Sequence, residues 1–208
     1  MKTDDQLFQA LVSGDSRAAT ALYDRYFLPV RGYFINKCAD PASGDDLVQE
    51  TFIVVLTKPG NFKGQSSFRA YLFGVAHNVL RAHYRKHVRS RLDLVEDMDA
   101  VSVADIGPGV STLVSQRAET LRLIQALRRI NIKYQIVFEM YYWQDLTAGE
   151  IGVALELPLG TVRSRLRLAM GELLKALDLP LGSFKQLLHS VRDLTGWARE
   201  VRLLLAAK

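Results

Sequence analysis

One stretch divides this chain. From Asp93 to Gly109 it carries five acids, Asp93, Glu96, Asp97, Asp99 and Asp105, no Lys or Arg, and it closes on Gly107-Pro108-Gly109. Acids without compensating bases, closed by a Gly-Pro-Gly break, read as a flexible linker. On either side, apolar residues recur at helical spacing. The expected fold is therefore all-α, in two helical units, and 208 residues suffice for two compact cores.

Local signals place the helices. Thr3 with Gln6 forms a capping box before Leu7, Phe8, Leu11 and Val12, and Gly14 ends that short helix. Asp15 caps a longer one to about Cys38. Its face carries Ala18, Leu22, Tyr26, Val30 and Phe34, and Pro29 is expected to kink it. Pro41 to Gly44 reads as a break. A third helix follows from about Asp45 to Thr57, with acids in its first turn, where the helix dipole favours them. Asn61 to Ser67 is a polar loop, and Ser66 or Ser67 caps a helix from Phe68 to Arg91. Beyond the linker, Leu121, Ile124, Leu127 and Ile130 form one stripe, and Ile136 to Trp143 is apolar. Thr147 with Glu150 is a second capping box, Leu157-Pro158-Leu159-Gly160 a turn, and Thr161 opens a helix to about Leu177. The division is a first domain 1–92, an acidic linker 93–112, a second domain 113–178 and a helical extension 179–208. The extension bears Phe184, Leu187, Leu188, Val191, Leu194 and Trp197. It either packs on the second domain or offers a regulatory contact.

Charge and composition narrow the function. The net charge is +5 and the pI about 9.4, which favours anionic partners. Cys38 is the single cysteine, so no internal disulfide forms. It reads as a small apolar residue near a helix end. No signal peptide and no apolar run long enough for a membrane span are visible, and a cytoplasmic protein without membrane insertion is expected. There is no Walker loop, nucleophile elbow or metal-binding cysteine pair, so no catalytic residue, cofactor or metal is assigned and the chain is not expected to be an enzyme. His83 and His87 lie four apart but lack further ligands.

Two segments carry basic side chains in a pattern. Thr147 to Leu177 has the outline of a helix-turn-helix. On a helical wheel Val162, Leu166, Ala169 and Leu173 face inward, while Arg163, Ser164 and Arg167 face outward, where an Arg fork can read guanine. Arg165 lies on the flank and suits a phosphate or an intramolecular partner. The second segment, Phe68 to Leu92, holds Arg69, Arg81, Arg85, Lys86, Arg89 and Arg91 without an acid, interleaved with Tyr71, Phe73 and Tyr84. Asn78, Arg81 and Arg85 share a face. Basic groups track phosphates and aromatics stack on unpaired bases. The preceding loop, Phe62, Lys63, Gly64, Gln65, Ser66 and Ser67, suits a pocket for an extruded base.

At this point a family is visible. Asp45-Asp46-Leu47-Val48-Gln49-Glu50-Thr51-Phe52 resembles the helix with which sigma-70-family factors grip core RNA polymerase. Phe62 to Leu72, followed by Ala76-His77-Asn78, resembles the loop and helix that open and read the −10 element. Leu155 to Arg167, centred on Gly160-Thr161-Val162-Arg163-Ser164-Arg165-Leu166, is similar to the −35 reader of extracytoplasmic-function sigma factors. Tyr71 departs from the pattern, standing where Trp is frequent. The resemblance implies a sigma region 2 over 1–92 and a region 4 over 113–178. Asp46, Leu47, Gln49, Glu50 and Phe52 would contact the β′ clamp helices of bacterial core polymerase, and the second domain the β flap. Phe62, Lys63, Gly64, Ser66, Ser67, Asn78, Arg81 and Arg85 would handle the −10 strand, and Thr161, Arg163, Ser164, Arg165 and Arg167 the −35 duplex. The acidic linker would act as an RNA mimic in the polymerase channel. Promoter DNA and an anti-sigma factor are the further partners implied. The alternatives are a stand-alone helix-turn-helix regulator of duplex DNA, a sigma-like decoy and a metal-dependent nuclease.

Overall fold

The structure, a computed structural model, describes residues 2–62, 64, 66–87, 102 and 118–190. Nine α-helices and one 3-10 turn make up the described residues: α1 (Asp4–Val12), α2 (Ser16–Ile35), α3 (Pro41–Thr57), α4 (Phe68–His87), α5 (Ala118–Arg129), α6 (Ile132–Tyr142), α7 (Ala148–Leu155), α8 (Leu159–Leu177) and α9 (Leu181–Ser190). Apart from Ser102, the acidic linker lies outside the described residues, as do Arg89 and Arg91.

The local chemistry accounts for most boundaries. Both capping boxes form, Thr3 with Gln6 on α1 and Thr147 with Glu150 on α7. Asp15 caps α2, which runs unbroken through Pro29 to Ile35. One expected start is corrected. Pro41 to Gly44 is not a break but the first turn of α3, because the Asp40 carboxylate accepts from the Ser43 amide at 2.8 Å and Pro41 occupies the first helical position. Proline suits that position, its missing N–H having no partner there anyway. Asp45 and Asp46 accordingly sit in the second turn. Likewise α8 begins at Leu159, two residues ahead of the expected Thr161.

The first domain packs α1 to α4 around Phe8, Leu22, Val30, Phe34, Phe52, Phe68, Leu72 and Leu80. The second packs Leu123, Leu127, Phe138, Ala169, Leu173 and Phe184. Phe184 and Leu187 of α9 are buried in that second cluster, so this part of the extension packs on its own domain. The expected apolar residues from Val191 onward lie outside the described residues.

The two domains also pack on each other. Ile132, Ile136, Val137, Met140, Leu146, Ile151 and Val162 belong to one continuous buried cluster with the first domain's core. Helix α4 meets α7 closely at Gly74, where an added Cβ would stand 3.0 Å from the Ala154 carbonyl oxygen. Glycine is required by that approach. Polar contacts cross the same boundary. The buried Lys37 ammonium pairs with Glu139, Asn36 donates to Glu139 at 3.0 Å, and Arg128 donates to the Asn36 carbonyl at 2.9 Å.

Candidate nucleic-acid interface

The helix-turn-helix is built by three local devices. The Thr147 box starts α7. Glu156 then turns the chain in the left-handed region, at φ 56°, where glycine is more usual. Gly152 lets the turn close, since a Cβ there would meet the Leu157 carbonyl oxygen at 2.9 Å. A glycine inside an otherwise amphipathic helix was the available signal for this requirement. Along α8, Val162, Ala169 and Leu173 are fully buried and Leu166 partly so. Arg163, Ser164 and Arg167 are exposed together, as the wheel predicts. Thr161 and Arg165 are half-buried. The Arg165 charge reaches His77 of the first domain, placing it on the flank facing its own chain.

On α4, Asn78, Arg81 and Arg85 are exposed on one face. Ser67 caps the helix, its hydroxyl accepting from the Ala70 amide at 3.3 Å. Phe62 is half-buried, with its ring 4.8 Å from Phe8 and 5.1 Å from Tyr71. It therefore forms a fixed aromatic wall. Burial raises the Tyr71 phenol above its ordinary pKa, and its hydroxyl has no hydrogen-bond partner. Gly64 holds φ 68°, a left-handed conformation in the middle of the loop. Ser66 is half-buried, and Lys63 and Gln65 lie outside the described residues. Beside α4 opens a cavity of about 530 Å³, lined by Asn61, Phe62, Ser66, Tyr71 and Asn78. Of these, Phe62 and Ser66 belong to the loop the sequence proposes for an extruded base, and Asn78 to the −10 set implied by the resemblance, whereas Gly64 and Ser67 do not line the cavity. Glu50 and Val54 of α3 also line it, and Val153, Ala154 and Glu156 of the helix-turn-helix are an unexpected part of the wall.

The α3 face separates into two sides. Asp46, Gln49 and Glu50 are exposed with Ile53, itself 61% exposed. Leu47 and Phe52 are 4% exposed and point into the core. The surface available to another protein is thus the acidic and amide side with Ile53, which sequence reasoning had left among the general apolar residues. Asp45 is engaged internally, accepting from the buried Arg31 guanidinium through both oxygens at 2.6 and 3.2 Å. This bidentate pair fixes α3 against α2.

His77 sits between the domains. Burial, then the charges of Arg81, Lys37 and Arg165, lower its pKa to about 4. Cys38 is buried and its thiol is pushed up to about 12, chiefly by desolvation, so it has no thiolate character near neutrality. No helix among the described residues is long and apolar enough to cross a membrane.

Comparison with known proteins agrees with this geometry. The family model described as "Sigma-70 region 2" matches residues 22–90, and "Sigma-70, region 4" matches residues 120–173. The chain is 26% identical over 170 residues to the RNA polymerase sigma-H factor of Pseudomonas aeruginosa, covering 78% of this chain and 88% of that one. It is 26% identical over 172 residues to the ECF RNA polymerase sigma-E factor of Escherichia coli, covering 79% and 88%. The sigma factor RpoE of Bartonella quintana, solved with the anti-sigma factor NepR, superposes with a TM-score of 0.58 at 19% identity. That match covers 76% of this chain and 98% of the other. Both sigma regions are present in order, and the chain belongs to the sigma-70 family as an RNA polymerase sigma factor of the extracytoplasmic-function type.

Proposed function

We propose that this sigma factor divides its work among three surfaces. The exposed side of α3, with Asp46, Gln49, Glu50 and Ile53, binds the β′ clamp helices of core polymerase. The cavity beside α4 takes an unpaired base of the −10 strand against Phe62 and Tyr71, within reach of Ser66, Ser67 and Asn78. Arg81 and Arg85 then track the neighbouring phosphates. Arg163, Ser164 and Arg167 enter the −35 major groove, with Thr161 and Arg165 at its phosphate margin. The observation that carries this reading is the presence of two DNA surfaces of different chemistry on one chain. One is a row of exposed Arg forks on a recognition helix, suited to duplex edges. The other is an aromatic and amide cavity beside a basic helix, suited to single strands. A duplex-binding regulator that works without polymerase needs only the first.

The acidic linker is assigned to the polymerase channel as a mimic of RNA. The apolar groove of the second domain, with Tyr141, Trp143, Met170 and Leu188, is assigned to the β flap. An anti-sigma factor is proposed as the regulator, by analogy with the Bartonella protein of like fold.

The test is run-off transcription by bacterial core polymerase on a library of random promoters. Transcripts sharing a two-block upstream motif, made only in the presence of this protein, are expected. Duplex binding by the protein alone without stimulation of core would favour the stand-alone regulator. Cleavage of DNA without polymerase, abolished by chelation, would instead favour the nuclease.

A further inference from the structure

Helix α8 has an inner side fixed by Val162, Ala169 and Leu173, all fully buried. Side chains three and four residues apart share a face of a helix. Ser164, Arg167, Leu168, Gly171 and Lys175 are related by such steps and lie opposite that inner side. Leu168 is the odd member of this polar face. It is 40% exposed and belongs to neither buried cluster. Val153 and Leu159 are the other exposed large apolar residues of α7 and α8, and neither shares the face. Val153 lines the cavity beside α4, and Leu159 opens α8 on the flank of Leu166.

Gly171, three residues on from Leu168, is equally unexplained by the fold. Glycine is disfavoured inside a helix relative to alanine. A Cβ at Gly171 would meet nothing within 4 Å, and its φ is not left-handed. No neighbour among the described residues therefore requires a glycine there. Its effect is on the surface: with a short hydroxyl side chain at Ser164 and none at Gly171, the Leu168 side chain stands uncovered beside Arg167.

The chemistry of a major groove selects what such a group can meet. The one apolar group a base pair presents there is the C5-methyl of thymine. The other edges are donors and acceptors, and an aliphatic chain pressed on them strips water without replacing its hydrogen bonds. Position agrees. Leu168 lies one turn beyond Ser164, a rise of ~6 Å along the axis. Two base-pair steps of ~3.4 Å span that distance.

We infer that Leu168 is a specificity-determining residue of the −35 site: its side chain packs on the C5-methyl of a thymine one or two base pairs from those met by Ser164 and Arg167, and Gly171 leaves it uncovered for that contact. The inference rests on assigning the outer face of α8 to the −35 duplex.

The test uses holoenzyme, assembled from core polymerase and the full chain, and the −35 duplex defined by its own transcripts. Each thymine of that element is replaced in turn by uracil, which keeps every hydrogen bond and removes only the methyl. At one thymine the native protein should lose about fourfold in affinity, the worth of one buried methyl. Leu168→Ala should lose at least that much on the unmodified duplex, show no further loss with uracil at that thymine, and respond as the native protein does elsewhere. Because Leu168 is exposed, the variant should keep the native Tm. Leu168→Met, which keeps an aliphatic end of similar volume, should retain the uracil response. A native protein indifferent to uracil at every position, a Leu168→Ala variant that keeps the full response, or a −35 element without an A·T pair would overturn the inference. Base-specific loss in Arg163→Ala would then show that α8 still reads the duplex. If Arg163→Ala and Leu168→Ala both leave −35 binding unchanged, the assignment of α8 fails and the inference with it.

Discussion

Lys37 and Glu139, 102 positions apart in the sequence, form a salt bridge from which water is excluded. Burial lowers the Lys37 pKa, and the Glu139 charge and hydrogen bond work against that shift. The ammonium also donates to the Tyr33 carbonyl at 2.8 Å and lies 3.9 Å from the centre of the Tyr33 ring. Removing one partner should strand the other. Lys37→Met is expected to destabilise the packed chain by about 3–5 kcal/mol. At this chain length that lowers Tm by roughly 10 °C. Lys37→Met with Glu139→Leu should recover part of the loss only, because Asn36 and Gln135 would then lack their shared acceptor. A double-mutant cycle by thermal denaturation measures this, and additive losses would contradict the coupling.

His77 makes stability depend on pH. It is held near pKa 4 by burial and by Arg81, Lys37 and Arg165, against an ordinary 6.5. A base with a depressed folded-state pKa stays neutral in the fold while the unfolded chain takes up a proton. Its contribution is therefore fully present above pH 6.5 and lost as pH falls toward 4. The difference corresponds to about 3 kcal/mol. Its Nδ1 has no hydrogen-bond partner, so His77→Phe removes little else. Denaturation at pH 7.5 and 4.5 should show a drop in the native chain that exceeds the variant's by about that amount. An imidazole midpoint near 6.5 by NMR would contradict the burial argument.

What the sequence disclosed follows from range. The capping boxes at Thr3 and Thr147, the inward Val162, Ala169 and Leu173, and the outward Arg163, Ser164 and Arg167 are relations within one helical turn or a few, and periodicity exposes them. The start of α3 was hidden because proline both breaks helices and opens them, and only the Asp40 side chain on the Ser43 amide decides which. Leu47 and Phe52 enter the contact set only through the family resemblance, because their helix is apolar nearly all round and the sequence alone does not say which side is covered. Contacts between domains left no local trace at all. Gly74 against Ala154, Ser67 on Glu150 and Lys37 on Glu139 each join residues about 80 or more positions apart, and no periodicity spans an intervening linker.

Gly152 is expected to be the most sensitive position of the helix-turn-helix. Its would-be Cβ meets the Leu157 carbonyl oxygen at 2.9 Å and Val162 Cγ2 at 3.9 Å. A backbone carbonyl cannot swing aside as a side chain can. Gly152→Val should cost about 1–3 kcal/mol and tilt α8 away from α7. Binding of a −35 duplex by the holoenzyme should fall, while recognition of a pre-opened −10 strand should persist. Equal loss of both would show that the substitution unfolds more than the turn.

Arg85 and Arg163 are both exposed, yet their assigned partners predict opposite behaviour. A phosphate contact is indifferent to sequence and sensitive to salt. Arg85→Ala should weaken holoenzyme binding on every promoter alike and reduce the slope of log affinity against log salt by about 1. A guanine contact in the major groove discriminates between bases. Arg163→Ala should cost about 1–3 kcal/mol on the preferred −35 sequence and much less on one changed at the contacted base pair. Binding measured across a salt series on both promoters separates the two roles. An unchanged salt slope in Arg85→Ala would remove that residue from the phosphate path, and a uniform loss in Arg163→Ala would move it from the base edge to the backbone.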